Sequence, residues 1–200
     1  MGRAYQFKIS LDEIKPQIWR RFIAADNITF HKLHEIIQAV MGWENCHLYE
    51  FRVKQFRFGI PEDKYDTEVT NAKKVQLNGF LENESQKFSY TYDFGDDWNH
   101  KMVIEKILEK DLPNCMPLCL DGKRACPPED CGSIPGYYEL AEAMADKKHP
   151  RHKELLGWLG YRFDPEYFDM AQVNEKLAGK RSKKQRQKRG WVIDPKKVRK

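Results

Sequence analysis

Between Phe88 and Ile104 the chain alternates. Phe88, Tyr90, Tyr92 and Phe94 take every second place, with Ser89, Thr91 and Asp93 between them, and Trp98, His100, Met102 and Ile104 resume the period after Gly95-Asp96-Asp97. A period of two marks a strand with one buried face. Glycine tolerates positive φ and aspartate bonds its own backbone, so the segment predicts a β-hairpin. Tyr5, Phe7, Ile9 and Leu11 alternate likewise and predict a first strand. Ile18 to Ile23 is apolar on both faces, which predicts a strand covered on two sides, with Arg20 or Arg21 in need of a partner. Pro16, unable to donate to a ladder, belongs at a strand start or edge. His47, Tyr49, Phe51 and Val53 predict another strand, ending before Gly59.

Helical spacing appears at Phe30, Leu33, Ile36, Ile37, Val40 and Met41, with Thr29 as N-cap and Gly42 as stop. His31 and His34 lie on this helix and read as surface or cap-side histidines in preference to a metal pair. Residues 60–74 are polar and aperiodic and predict a long loop; 75–81 are apolar without a legible type. Tyr137 to Ala145 predicts a helix. A second helix opens at His149-Pro150, places Leu155, Leu156 and Leu159 inward and ends at Gly160. Asp164-Pro165 is a cap followed by proline at the first helical position, with Phe168, Val173 and Leu177 continuing a last helix. Strands first and helices last, with one helix inserted early, predict an α+β domain in which a mixed or antiparallel sheet packs with helices. Residues 1–177 form that single domain.

Charge divides the chain in the same place. The net charge of +5 is misleading as a whole, because the residues from Lys176 to Lys200 carry twelve Lys/Arg and one acid. They hold +11, and the rest of the chain holds −6. Residues 178–200 therefore predict a basic, unstructured tail. It is either a solvated end or an arm for polyanions, in which Lys180, Arg181, Lys183, Lys184, Arg186, Lys188 and Arg189 meet nucleic-acid phosphates, and Trp191 stacks on a base or pins the tail to the body. No apolar leader is seen at Met1–Ser10 and no run reaches membrane-spanning length. With five cysteines, an odd number, the expectation is a cytoplasmic protein whose thiols are free or bind metal.

Two constellations carry chemistry. Cys119, Cys126 and Cys131 with His100 offer four zinc ligands of the right kind, though no paired CxxC knuckle is present; the alternative is small buried thiols in a tight loop. Asp93, Asp96, His100, Glu129 and Asp130, with Glu105 nearby, offer acids that could hold a divalent cation for phosphodiester chemistry if their oxygens converge; the alternative is turn formation and capping. None of the five serines has a histidine partner in view, and no G-x-S-x-G, H-E-x-x-H or glycine-rich phosphate loop occurs.

The segments IWRRF, GWENCHLYEF, YDFGDDWNH and CLDGKRACPPEDCG together resemble the plasmid Ri open-reading-frame-three-like family, small proteins that travel with plasmids and insertion elements. The likeness runs from about Tyr5 to Leu177, and the loop departs from the usual C-G-G at Cys131-Gly132-Ser133. The resemblance implies a single α+β domain without an assigned reaction. It also implies a shared pocket drawn from Trp19, Arg20, His47, Asp93, Gly95, Asp96, Trp98, His100, Cys119, Gly122, Cys126, Pro127, Pro128, Glu129, Asp130, Cys131 and Gly136. A resolvase label attached to some members does not fit, since Tyr5–Ser10 lacks the arginine that a serine resolvase places beside its nucleophile. The functional expectation is a mobile-element-associated factor that engages nucleic acid without catalysis. The alternative is a metal-dependent hydrolase or nuclease built on the Asp93–His100 turn and the Cys119–Cys131 loop.

Overall fold

Alternation becomes one eight-stranded sheet in the computed structural model, which describes residues 3–61, 68–109 and 116–179. The strands are β1 (Arg3–Leu11), β2 (Trp19–Ala25), β3 (Tyr49–Val53), β4 (Phe56–Gly59), β5 (Val69–Asn71), β6 (Lys87–Tyr92), β7 (Trp98–Glu109) and β8 (Leu118–Lys123). They lie in the order β5-β4-β3-β6-β7-β1-β2-β8, antiparallel throughout except for the parallel β4–β5 pair. The helices are α1 (Phe30–Met41), α2 (Ser133–Ala145), α3 (His152–Leu159) and α4 (Met170–Leu177). The fold is α+β. No helix among the described residues is long and apolar enough to cross a membrane.

One sheet face carries Phe7, Ile9, Phe22, Phe51, Tyr90, Tyr92, Trp98 and Ile104, all fully buried. Helix α1 lays Phe30, Leu33, Ile37 and Val40 into this core. Phe30 stacks on Phe58 at 4.2 Å. Each such side chain removed from water contributes about 1.5–3 kcal/mol, so this face specifies the sheet's orientation. The other face, with Lys8, Ser89, Thr91, Asn99 and Lys101, keeps contact with solvent.

Capping follows the sequence at α1: the Thr29 side chain accepts from Lys32 N, and Gly42 takes φ 107° at the C-terminus. The last helix does not start at Asp164-Pro165. Asp164 instead closes a turn onto Glu166 N, and the cap is Asp169, whose side chain accepts from Gln172 N. Strand β4 and strand β5, the latter inside the expected loop, were hidden by their shortness; β8 was hidden because its alternate positions include Asp121 and Gly122. The 75–81 segment contains a 3-10 turn at Leu77–Gly79. Phe94 is not a strand residue. β6 ends at Tyr92, Asp93 turns to φ 57°, and Phe94 is left 55% exposed.

Arg20 is buried at the junction of three elements. Its Nε donates to Val40 O at the end of α1, its Nη1 to Trp19 O and Lys123 O, and its Nη2 to Arg124 O, at 2.7–2.9 Å. Phe168 lies 4.3 Å from its guanidinium carbon. Gly122 is bare because a Cβ there would come within 2.7 Å of both Arg20 Cδ and Phe168 Cζ. Arg21, on the opposite face, pairs with Glu105. From α4, Lys176 Nζ donates to Trp43 O at 2.9 Å and so ties the last helix to the exit of α1.

Two histidines are folded in as neutral rings. His34 lies flat on Tyr49 at 3.6 Å, with Nδ1 at 2.8 Å from Tyr90 Oη and Nε2 at 2.6 Å from Asn45 Oδ1. His100 sits under Trp43 with Nδ1 at 3.1 Å from Tyr90 O. Burial holds both well down, to about 4. A folded value below the unfolded one of about 6.5 contributes stability that is complete above pH 6.5 and is lost as pH falls toward 4. Between pH 7.5 and 5.5 the pair is expected to cost about 3 kcal/mol. Urea titrations at the two pH values check this, and identical midpoints would show that the rings are not held neutral.

Candidate metal centre at the hairpin turn

The turn between β6 and β7 presents one carboxylate oxygen by using up the other. Asp93 Oδ1 accepts from Gly95 N at 2.9 Å and Asp96 N at 3.3 Å, and Asp93 N donates to Leu48 O. Aspartate tolerates the left-handed conformation that this requires. Oδ2 is thereby aimed at His47 Nε2, 3.6 Å away. His47 reaches this point because β3 and β6 pair Tyr49 with Tyr92, which brings the residues preceding β3 beside those following β6.

The loop after β8 folds against the same turn. Gly132 N donates to Asp96 Oδ2 at 3.2 Å, Ser133 Oγ to Asp96 O at 2.8 Å, and Trp43 Nε1 to Pro127 O at 3.0 Å. Gly136 lets the loop run into α2, since a Cβ there would stand 1.9 Å from Cys131 O. This clamp delivers two more acids. Asp130, at φ 56°, places Oδ1 3.1 Å from His47 Nε2. Glu129 is pinned through Oε1 by Glu44 N at 2.7 Å and Tyr92 Oη at 3.0 Å, and its Oε2 stands 3.8 Å from the same nitrogen.

His47 Nε2 is sealed from solvent and makes no hydrogen bond to any described residue, despite three carboxylate oxygens around it. Donors about 2.1 Å from a common ion stand about 3.0 Å apart at right angles and about 3.4 Å apart in a tetrahedron, so separations of 3.1 and 3.6 Å fit the edges of a coordination shell. His47, Asp93 and Asp130 are the one group of three among the described residues whose donor atoms all lie within 4.8 Å of each other. Three carboxylates against one imidazole leave an excess negative charge that a divalent cation offsets. Asp93 is nearly buried while Asp130 is 70% exposed at the side chain, so the recess is open on one side. One imidazole with carboxylate oxygens suits a first-row ion such as Mn²⁺ or Zn²⁺.

The sequence-derived sets are redistributed. Asp93, Glu129 and Asp130 meet at the recess, while Asp96 serves as the loop clamp and Glu105 is held by Arg21 and Gln6. Cys119, Cys126, Cys131 and His100 do not converge into a zinc set. Cys119 is locked in β8, its backbone paired with the Asn174 side chain and its Sγ donating to Asp121 O. Cys126 faces Arg20 Nη2 and Met41 Sδ. Burial, and next the Asp96 charge, push the Cys131 thiol up to about 12. His100 points into the core beneath Trp43. Lys180, Arg181, Lys183, Lys184, Arg186, Lys188 and Arg189 lie outside the described residues. His47 entered the sequence analysis through the strand alternation and the pocket that the family resemblance implies, where it stands with Asp93, Glu129 and Asp130, but not in either ligand set drawn from the residues themselves; the structure sets its Nε2 among those acids.

Known proteins share this architecture. The plasmid pRiA4b ORF-3-like protein family matches residues 3–172. A Sinorhizobium fredii protein described as uncharacterized protein y4hQ is 38% identical over 188 residues, covering 92% of this chain and 96% of its own length. The crystal structure of MM3350, a protein of unknown function from Methanosarcina mazei Go1, is similar with a TM-score of 0.77 and 41% identity over 86% of this chain and 98% of that one. Neither description assigns an activity.

Proposed function

The chain belongs to the plasmid pRiA4b ORF-3-like protein family, and from that premise we propose that it is a divalent-metal-dependent hydrolase of phosphodiesters. The observation that carries this is the bare His47 Nε2 ringed by Asp93, Glu129 and Asp130. An ion held by His47, Asp93 and Asp130 would lower the pKa of a bound water toward neutrality. Glu129, fixed by Tyr92 and Glu44, is placed to take the proton from that water. Water activated there would attack phosphorus as the P–O bond to the leaving group breaks, and the proton taken up by Glu129 would pass to the leaving oxygen.

The second reading is an accessory factor that binds nucleic acid without catalysis, favoured by the cations between Lys176 and Lys200. Each phosphate neutralised gives a salt slope of roughly −0.9. The word plasmid in the family's name supports a mobile-element setting for either reading.

Calorimetric titration of metal-stripped full-length protein separates the two. The hydrolase reading expects one Mn²⁺ or Zn²⁺ per chain. No stoichiometric uptake of either ion would remove that reading and leave the accessory role.

A further inference from the structure

A single peptide unit separates α4 from the metal recess. Lys176 Nζ donates to Trp43 O at 2.9 Å, and the N–H of that same peptide unit, Glu44 N, donates to Glu129 Oε1 at 2.7 Å. A peptide unit is planar and delocalised, with a negative carbonyl end and a positive N–H end. Here the carbonyl faces an ammonium and the N–H faces a carboxylate, so the dipole is aligned with both charges. Drawing electron density toward the carbonyl strengthens the N–H as a donor, a cooperative effect that the low dielectric of the interior enhances.

The same junction grips the Glu129 loop a second time, through Trp43 Nε1 to Pro127 O at 3.0 Å. Lys176 Nζ also lies 3.4 Å from Gln38 O, in the last turn of α1, where the negative end of the helix favours a cation. Burial pulls the ammonium's pKa down, and Glu44, Cys126 and Glu129 act against that pull, so the charge of Glu129 is felt at Nζ. Withdrawing an ammonium from water costs free energy, which the two carbonyls and the carboxylate beyond them offset. Helix α4 has no buried residue of its own. Its tie to the sheet is the pair of hydrogen bonds between the Asn174 side chain and the backbone of Cys119, at 2.8 and 3.0 Å. We propose that Lys176 is a positioning residue for Glu129, acting through the Trp43–Glu44 peptide unit to hold the carboxylate with its Oε2 turned toward His47. What Glu129 then does to a bound water rests on the hydrolase reading; that Lys176 holds it does not.

The test uses the full-length chain and reads amide hydrogen exchange by NMR beside hydrolysis of bis(p-nitrophenyl) phosphate at saturating Mn²⁺. Asn45 N, the next amide along, donates to Gln38 Oε1 and serves as internal reference. Lys176→Met is expected to speed exchange at Glu44 by about tenfold with Asn45 unchanged. It should also lower kcat by about ten- to a hundredfold at unchanged KM and Mn²⁺ uptake. Lys176→Arg, which keeps a cation, should restore both. Lys176→Gln keeps a donor without the charge; it guards against loss of fold in the methionine variant and should move Glu44 in the same direction by less. Exchange at Glu44 that stays at the parent's rate, or that rises together with Asn45, would overturn the proposal and leave Lys176 as an anchor for α4. A change confined to Glu44 in a protein that takes up no Mn²⁺ would keep the positioning role and remove the hydrolase.

Discussion

Arg20→Ala is expected to destabilise the protein by about 4–5 kcal/mol, at the upper end of what single substitutions do. The loss is not of an ion pair, because among the described residues no carboxylate pairs with Arg20. Four backbone carbonyls, those of Trp19, Val40, Lys123 and Arg124, lose their donor together. A buried acceptor left unsatisfied costs about 1–3 kcal/mol, and some of the four will recover water. Val40 O lies at the negative end of α1, where a cation is additionally favoured. Arg20→Lys should recover little, since an ammonium cannot spread donors over three directions in one plane. At about 2–4 °C per kcal/mol for a chain of this size, the alanine variant should melt about 8–20 °C below the parent. Calorimetry checks this, and a drop under about 3 °C would show that β2, β8 and α1 hold together without the guanidinium.

His47→Ala is expected to abolish stoichiometric Mn²⁺ uptake while leaving the fold intact. Removing only a supporting partner typically costs 10–100-fold in metal affinity, so removing a ligand should exceed a hundredfold. The imidazole is partly exposed, and its Nε2 makes no hydrogen bond that folding depends on among the described residues. Calorimetric titration of the variant at micromolar to millimolar Mn²⁺ is the check; parent-like affinity would mean that the ion, if bound, is held elsewhere.

The same two residues show what a sequence can and cannot display. Arg20 was visible as a cation in a strand covered on both faces, hence in need of a partner. That the partner would be carbonyls of three separate elements depends on packing that no local pattern encodes. The hairpin and α1 were legible because periods of 2 and 3.6 run unbroken with turn and cap residues at their ends. β4, β5 and β8 were not, being short or interrupted by Asp121 and Gly122. The acids of the recess were also legible, since Asp93 and the Glu129-Asp130 pair sit in turn-forming contexts. Spacing alone did not join His47 to them, because it is 46 positions before Asp93 and meets it through the Tyr49–Tyr92 register; the family resemblance was what named it in the same pocket. A slip of one residue in that pairing would carry it to the other face of the sheet. The thiols failed in the opposite way: their spacing placed them near one another along the chain, and burial then turned Cys119 and Cys126 away from the turn.

The most direct measurement is anomalous X-ray scattering from crystals soaked in Mn²⁺. One peak is expected about 2.1–2.3 Å from His47 Nε2, Asp93 Oδ2 and Asp130 Oδ1. A recess without a peak, or with the ion bound instead at Cys126 or Cys131, would contradict it.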